Sequence, residues 1–269
     1  MDDRVSISIS EGVADVRLVR ADKMNALDQP MFEALVAATD RLSKAKGVRA
    51  VVLSGEGRAF CAGLDMGRFA AMKEKGGNGI PGGENRDLTV RTYGKANFAQ
   101  QAVWGWRQLP MPVIAAVHGV AFGGGFQLSL GADMRFLSSD ARMSIMEIKW
   151  GLVPDMAGTP ILASLVRDDI LRDLTYTGRI FSAQEALAYG LATRICDDPR
   201  AAALDVAREI AGKSPDAIRA AKRMLNNLSV DPGPALLAES VEQQKLIGSP
   251  NQTEAVRANL EKRAPNFAD

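Results

Sequence analysis

The sequence predicts an α/β core followed by a helical tail. Three observations carry this expectation. Short apolar runs, Val48–Leu53 and Pro112–His118, alternate with segments of helical periodicity. Three consecutive glycines, Gly123 to Gly125, join the second run to the apolar segment Phe126–Leu130, the pattern of a strand feeding a helix. Beyond Asp197-Asp198-Pro199 the strand signals cease. A boundary therefore falls near Pro199, with an α/β core over 1–199 and a helical region over 200–269.

The elements follow in order. Val5, Ile7 and Ile9 alternate with serines as in a half-buried strand, and Val13–Val19 is its hairpin partner across Glu11-Gly12. Asp28 caps a helix with Pro30 in its first turn and an apolar stripe of Phe32, Leu35, Val36 and Leu42. The strand Val48–Leu53 ends at Ser54-Gly55-Glu56-Gly57. The glycine-rich, charged stretch 73–87 reads as a mobile loop. A helix is expected from Leu88 to Leu109, its Tyr93, Phe98, Trp104 and Trp106 reading as core. Ser182-Ala183-Gln184-Glu185 is a capping box whose helix ends at Gly190. Ser214-Pro215 and Ser249-Pro250 each pair a cap with a first-turn proline. Short helices of this kind cannot bury their apolar faces alone, so the tail is expected to pack on the core or on another subunit.

Composition narrows the function. Of 269 residues, 46% are hydrophobic and 24% charged, which suits a sizeable core. Lys plus Arg is 33 and Asp plus Glu is 32, so nothing points to nucleic acid or an acidic membrane as a partner. The two cysteines, Cys61 and Cys196, form no C-x-x-C pattern. With no apolar signal region and no membrane-length stretch, a soluble cytoplasmic protein is expected. A single histidine, His118, leaves no histidine-rich metal site and no metal is expected. It lies in an apolar strand, reads as core, and is not accompanied by a G-x-S-x-G nucleophile elbow. Carboxylates remain as the groups for proton transfer.

The triple glycine is the most informative feature. Glycines at a helix start expose backbone N–H donors and the positive end of the helix dipole, a combination that attracts anions and developing oxyanions. No lysine follows, so the phosphate-loop pattern fails, and Leu128 occupies the place of the last glycine in the dinucleotide pattern. The donors are then available to an acyl oxygen. The plainer reading is a glycine turn that packs a helix tightly on a sheet.

Three segments belong together: Arg58–Asp65, His118–Gln127 and Met146–Gly158. With Asn25-Ala26-Leu27 before them and Glu261–Phe267 after them, their order and spacing resemble the enoyl-CoA hydratase/isomerase, or crotonase, family from about residue 5 to the C-terminus. The resemblance implies a spiral of β-β-α turns with a helical C-terminal region that builds trimers or dimers of trimers. It implies an acyl-coenzyme A thioester as ligand, with coenzyme A part of the substrate and no further cofactor. It assigns an oxyanion hole to the N–H groups of Ala62 and Gly124. It places Ala62, Gly63, Leu64 and Asp65 along the adenine and pantetheine region, and lets Lys262 and Phe267 reach the nucleotide end. Such donors suit a thioester, whose α-carbanion forms readily only if charge on the oxygen is stabilised, and losing one donor typically costs ~10²–10³-fold in rate.

The carboxylates choose the reaction. Hydratases of the family hold water between two glutamates, at the positions of Gln127 and Glu147. A carboxamide at 127 orients by hydrogen bonds but takes no proton at neutral pH. Asp155, eight residues after Glu147, resembles with it the proton-transfer pair of dienoyl-CoA isomerases, which also carry an aspartate at position 127. Asp155 could otherwise be a turn or N-cap residue. The sequence thus points to an enoyl-CoA or dienoyl-CoA isomerase. The alternatives are a 2-enoyl-CoA hydratase with one catalytic glutamate and a non-catalytic protein that binds CoA esters.

Overall fold

The computed structural model describes residues 4–67, 87–213, 215–226 and 232–263. The chain opens with an antiparallel hairpin, β1 (Val5–Ser10) and β2 (Val13–Leu18), turning at Glu11 and Gly12, both with positive φ. Three further strands then join β2 in parallel: β3 (Ala50–Gly55), β4 (Val113–Val117) and β6 (Met134–Leu137). A short β9 (Arg194–Ile195) closes the six-stranded sheet, in the order β1-β2-β3-β4-β6-β9. All five residues of β4 are buried, which is why its sequence is continuously apolar rather than alternating.

A second sheet contains β5 (Val120–Phe122), β7 (Arg142–Ser144) and β8 (Phe181–Ser182). The chain steps from the large sheet to the small one repeatedly. After β4 it crosses His118 and Gly119 into β5, and after β6 it crosses Ser138–Ala141 into β7. Downstream of β3, Cys61 pairs in parallel with Ala121 of β5. These stacked turns are the expected β-β-α spiral.

Helix α1 (Gln29–Lys44) starts as read from the sequence: the Asp28 carboxylate accepts the Met31 N–H at 2.9 Å, and Pro30 sits in the first turn. Helix α2 (Phe98–Gln108) is ten residues shorter at its start than expected. Asn97 and Gln100 form a capping box, with bonds of 2.8 and 3.0 Å, that begins the helix there. Trp106 is fully buried, as anticipated, whereas Tyr93 is 38% exposed. Helix α3 (Gly124–Leu130) begins inside the triple glycine, two residues before the expected start. Helices α4 (Gly158–Leu162), α5 (Asp168–Thr177) and α6 (Ala183–Ala188) follow, the last with the foreseen Ser182–Glu185 capping box.

Helix α7 (Pro199–Ala211) lies directly on the sheet. Ala203, Ala207 and Ala211 pack against Val52, Ile114 and Phe136, small side chains allowing helix and sheet to approach closely. Helix α8 (Pro215–Asn226) is anchored by Lys222, whose buried ammonium donates to the Met111 carbonyl at 2.8 Å and to Asp133 at 2.7 Å. Helix α9 (Gly233–Leu246) is tied to the turn before α2 through Ser240, whose hydroxyl accepts from Asn97 at 2.9 Å. Helix α10 (Pro250–Glu261) is capped by Ser249, as expected. No helix among the described residues is long and apolar enough to cross a membrane. Residues 73–86 of the glycine-rich stretch and Ser214 lie outside the described residues.

Candidate active site

The glycines allow three segments to converge. Gly123 has φ 50° and ψ −120°, a conformation closed to most side chains, and donates to the Ser144 carbonyl at 3.0 Å. A Cβ at Gly124 would lie 2.8 Å from Met156 Sδ, and one at Gly125 would strike the Cys61 carbonyl oxygen. Gly63, with φ +90°, is equally constrained: a Cβ there would strike the Phe122 carbonyl and lie 3.7 Å from the Gly124 nitrogen. The Cys61–Asp65 turn and the start of α3 therefore face one another across a cavity of about 550 Å³, which Leu64, Gly124, Glu147 and Asp155 all line.

Of the two N–H donors expected from the sequence, Gly124 is open and Ala62 is not. Ala62 lines the cavity, but its N–H donates to the Met24 carbonyl at 2.9 Å. Met24 and Asn25 are both left-handed, with φ 50° and 54°. The Asn25 carboxamide locks that turn by donating to the Glu56, Ala59 and Phe60 carbonyls. On the next stretch, Leu27 pairs with the Gly63 carbonyl at 2.8 Å and the Asp65 N–H at 3.1 Å. The N–H groups of Leu64 and Gly124 find no acceptor among the described residues. Leu64 and Gly124 thus supply the two open donors, and Ala62 does not.

Glu147 opens a 3₁₀ turn, Glu147–Trp150, after β7. Its side chain meets Gln127 of α3: Nε2 of Gln127 donates to Glu147 Oε1 at 2.6 Å. The Gln127 Oε1 accepts from the Met156 and Gly158 N–H groups at 2.9 and 3.0 Å. Gln127 thus braces α3, Glu147 and the turn that carries Asp155. Glu147 Oε2 is buried with no hydrogen-bond partner. Burial pushes the Glu147 carboxyl up to about 7; the Asp155 charge adds to this, and the Gln127 bond opposes it.

Asp155 follows Pro154 and is half-buried. It caps no helix: α4 starts after Ala157, with no side-chain cap. Burial pushes Asp155 up to about 7 against a hydrogen bond from Gln243. Gln243, on α9, is a site residue the sequence reading missed. It is buried, lines the same cavity, and its Oε1 accepts from the Val153 N–H at 3.3 Å. No local pattern marks it, because its partners lie some ninety residues upstream. Two carboxyls near neutrality, facing open N–H donors, can hold one proton between them and exchange it with a bound thioester.

A model of the enoyl-CoA hydratase/isomerase family matches residues 8–269. The chain belongs to that family. A peroxisomal Delta(3,5)-Delta(2,4)-dienoyl-CoA isomerase of Arabidopsis thaliana is 32% identical, over 93% of this chain and 90% of its own. A probable enoyl-CoA hydratase of Bacillus subtilis is 30% identical, over 98% of both chains. Among solved structures, an enoyl-CoA hydratase/isomerase from Pseudoalteromonas atlantica superposes with a TM-score of 0.82 at 28% identity, covering 98% of this chain and 99% of that one.

Asp65 lines the cavity, accepts the Gly67 N–H at 2.8 Å and pairs with Arg20 at 2.5 Å, which fixes the turn. Lys262 is the left-handed C-cap of α10, exposed, and does not line the cavity. Phe267 lies outside the described residues. His118 follows β4 rather than lying within it, and its Nε2 meets the Gly57 carbonyl at 2.9 Å. Tyr93, Phe98, Trp104 and Trp106 stand away from the cavity, whose indole is Trp150.

Proposed function

We propose that this protein is an isomerase of an unsaturated acyl-CoA that moves a double bond by proton transfer. The thioester oxygen is held by the N–H groups of Leu64 and Gly124, placed where enolate charge develops. One of Glu147 and Asp155 removes an allylic proton to give an extended dienolate. The other, protonated, returns a proton at a different carbon. Coenzyme A is carried as part of the substrate. The helical tail is proposed to build a homotrimer or a dimer of trimers.

The observation that carries this reading is the engagement of Gln127. Its amide is committed to Glu147 and its carbonyl to two backbone N–H groups. It therefore supports Glu147 rather than a second water-activating base. The unpartnered Glu147 Oε2 is the oxygen left for the substrate proton.

The lining supports an apolar acyl group. Leu27, Phe32, Ala99, Leu152, Met156 and Ile247 face the cavity. Its cations among the described residues are Arg20, paired with Asp65 and Asp28, and the exposed Lys23. Arg20 is thus matched by two carboxylates, and Lys23 stands in solvent.

Incubation with matched 2-enoyl-, 3-enoyl- and 3,5-dienoyl-CoA esters, with products weighed by mass spectrometry, tests the proposal. Products isomeric with their substrates are expected. Predominant gain of water from the 2-enoyl ester would replace the isomerase by a hydratase, and no conversion of any ester would leave a binding protein.

A further inference from the structure

We propose that Gln243 is a positioning residue for Asp155, so that the C-terminal helix α9 completes the proton-transfer site. This rests on the isomerase reading and extends it to a segment outside the spiral. The Gln243 side chain is 5% exposed and lines the cavity. Its Oε1 accepts from the Val153 N–H at 3.3 Å. That bond fixes which end of the carboxamide is carbonyl and leaves the amide end as the donor toward Asp155, whose ionised form the Gln243 side chain favours. One side chain thus bridges the backbone two residues before the acid and the acid itself, across the Pro154 turn. From the other side, Gln127 holds the Met156 and Gly158 N–H groups. Asp155 is braced between two carboxamides from helices more than a hundred residues apart.

The anchoring continues along α9. Ser240, one turn before Gln243, accepts from Asn97 and Arg91, and the Leu236 carbonyl accepts from Gln100 at 2.6 Å. The helix is held against the start of α2, and Gln243 projects from a fixed platform. Asp155 shares the cavity with Glu147 from the 3₁₀ turn and with Arg20, Asp22, Lys23 and Asp65 from the loops around β2 and Cys61. Gln243 is the residue of α9 that lines it, and it brings no charge of its own. A neutral donor to Asp155 favours the ionised acid without altering the cavity's charge.

The test compares Gln243→Leu and the isosteric Gln243→Glu with Asp155→Asn. Turnover, the pH profile of kcat, thermal midpoint and affinity for a saturated acyl-CoA are measured on each. Loss of the donor should lower kcat about 10- to 100-fold, the scale of a misplaced reacting group. The limb of the profile that disappears in Asp155→Asn should move to higher pH. Affinity for the saturated ester should change little. Because Gln243→Glu keeps the size of the side chain, it reports even if the leucine variant folds poorly. An unmoved limb and a near-normal kcat in both Gln243 variants, with Asp155→Asn inactive, would overturn this inference while leaving the isomerase reading intact. A near-normal rate in Asp155→Asn would instead overturn that reading, and this inference with it.

Discussion

Gln127 donates from Nε2 to Glu147 Oε1 across 2.6 Å while its own carbonyl oxygen accepts from the Met156 and Gly158 N–H groups. A single buried carboxamide therefore sets the position of one acid and the backbone that carries the other. Glutamate could not do both jobs without a shared proton, because its second oxygen would face the Glu147 carboxylate.

Gln127→Met should expose this bracing. The substitution keeps the volume but leaves two buried N–H groups and one carboxylate oxygen unpaired. Each such group costs ~1–3 kcal/mol, so a loss of roughly 3–9 kcal/mol is expected in denaturant titration, together with a lower kcat. A variant as stable as the parent would show that the bonds contribute nothing.

Glu147→Gln should stabilise the protein while abolishing turnover. The folded carboxyl titrates near 7 against an ordinary 4.5. Below the ordinary value both states are protonated and nothing is lost. Between the two values the unfolded chain releases a proton that the folded state keeps, so stability falls as pH rises, and the loss is complete above 7. A difference of that size corresponds to on the order of 3 kcal/mol. Thermal midpoints of parent and variant should agree at low pH and diverge by several degrees above neutrality, with the variant higher. Parallel midpoints across the range would contradict the buried-carboxyl account.

The proposed oxyanion hole can be tested one N–H at a time. Replacing the Gly63–Leu64 amide by an ester removes the Leu64 donor and weakens the Gly63 carbonyl as acceptor of the Leu27 N–H. Turnover should fall ~10²–10³-fold, with a stability loss of no more than ~1 kcal/mol. The corresponding ester at Ala62 removes the bond to Met24 and should act mainly on stability, by ~1 kcal/mol. If the Ala62 ester abolished turnover and the Leu64 ester did not, the original assignment of Ala62 would be restored.

Lys222→Met should loosen the tail. The substitution leaves the Met111 carbonyl and one contact of Asp133 unmatched in a buried setting. Removing one partner of such a pair costs about 3–5 kcal/mol, and proteolysis should reach α8 sooner than in the parent. Unchanged cleavage kinetics would show that other contacts hold the helix.

Much of this was legible because the signals are local. The buried strand β4, the Asp28 and Ser249 caps and the Ser182–Glu185 box all stand within a few residues of one another. Glu147 and Asp155 were legible as a pair through their resemblance to the acids of dienoyl-CoA isomerases, and one cavity joins them. The Ala62 assignment failed because the fate of its N–H is decided by Met24, whose carbonyl is turned by a left-handed pair nearly forty residues upstream. The start of α2 was misplaced because Asn97 stops a helical pattern that hydrophobic periodicity alone would continue. Gln243 left no trace, since a buried glutamine acquires meaning only from what a distant turn presents to it.

The central claim is that two acids pass protons to and from the acyl chain without adding water. Turnover of a 3,5-dienoyl-CoA in heavy water measures this directly. The account predicts an isomeric product carrying deuterium from solvent at the carbon that receives the new hydrogen, with no added oxygen, and loss of that labelling in both Glu147→Gln and Asp155→Asn. A product that has gained the elements of water, or labelling that survives either substitution, would contradict it.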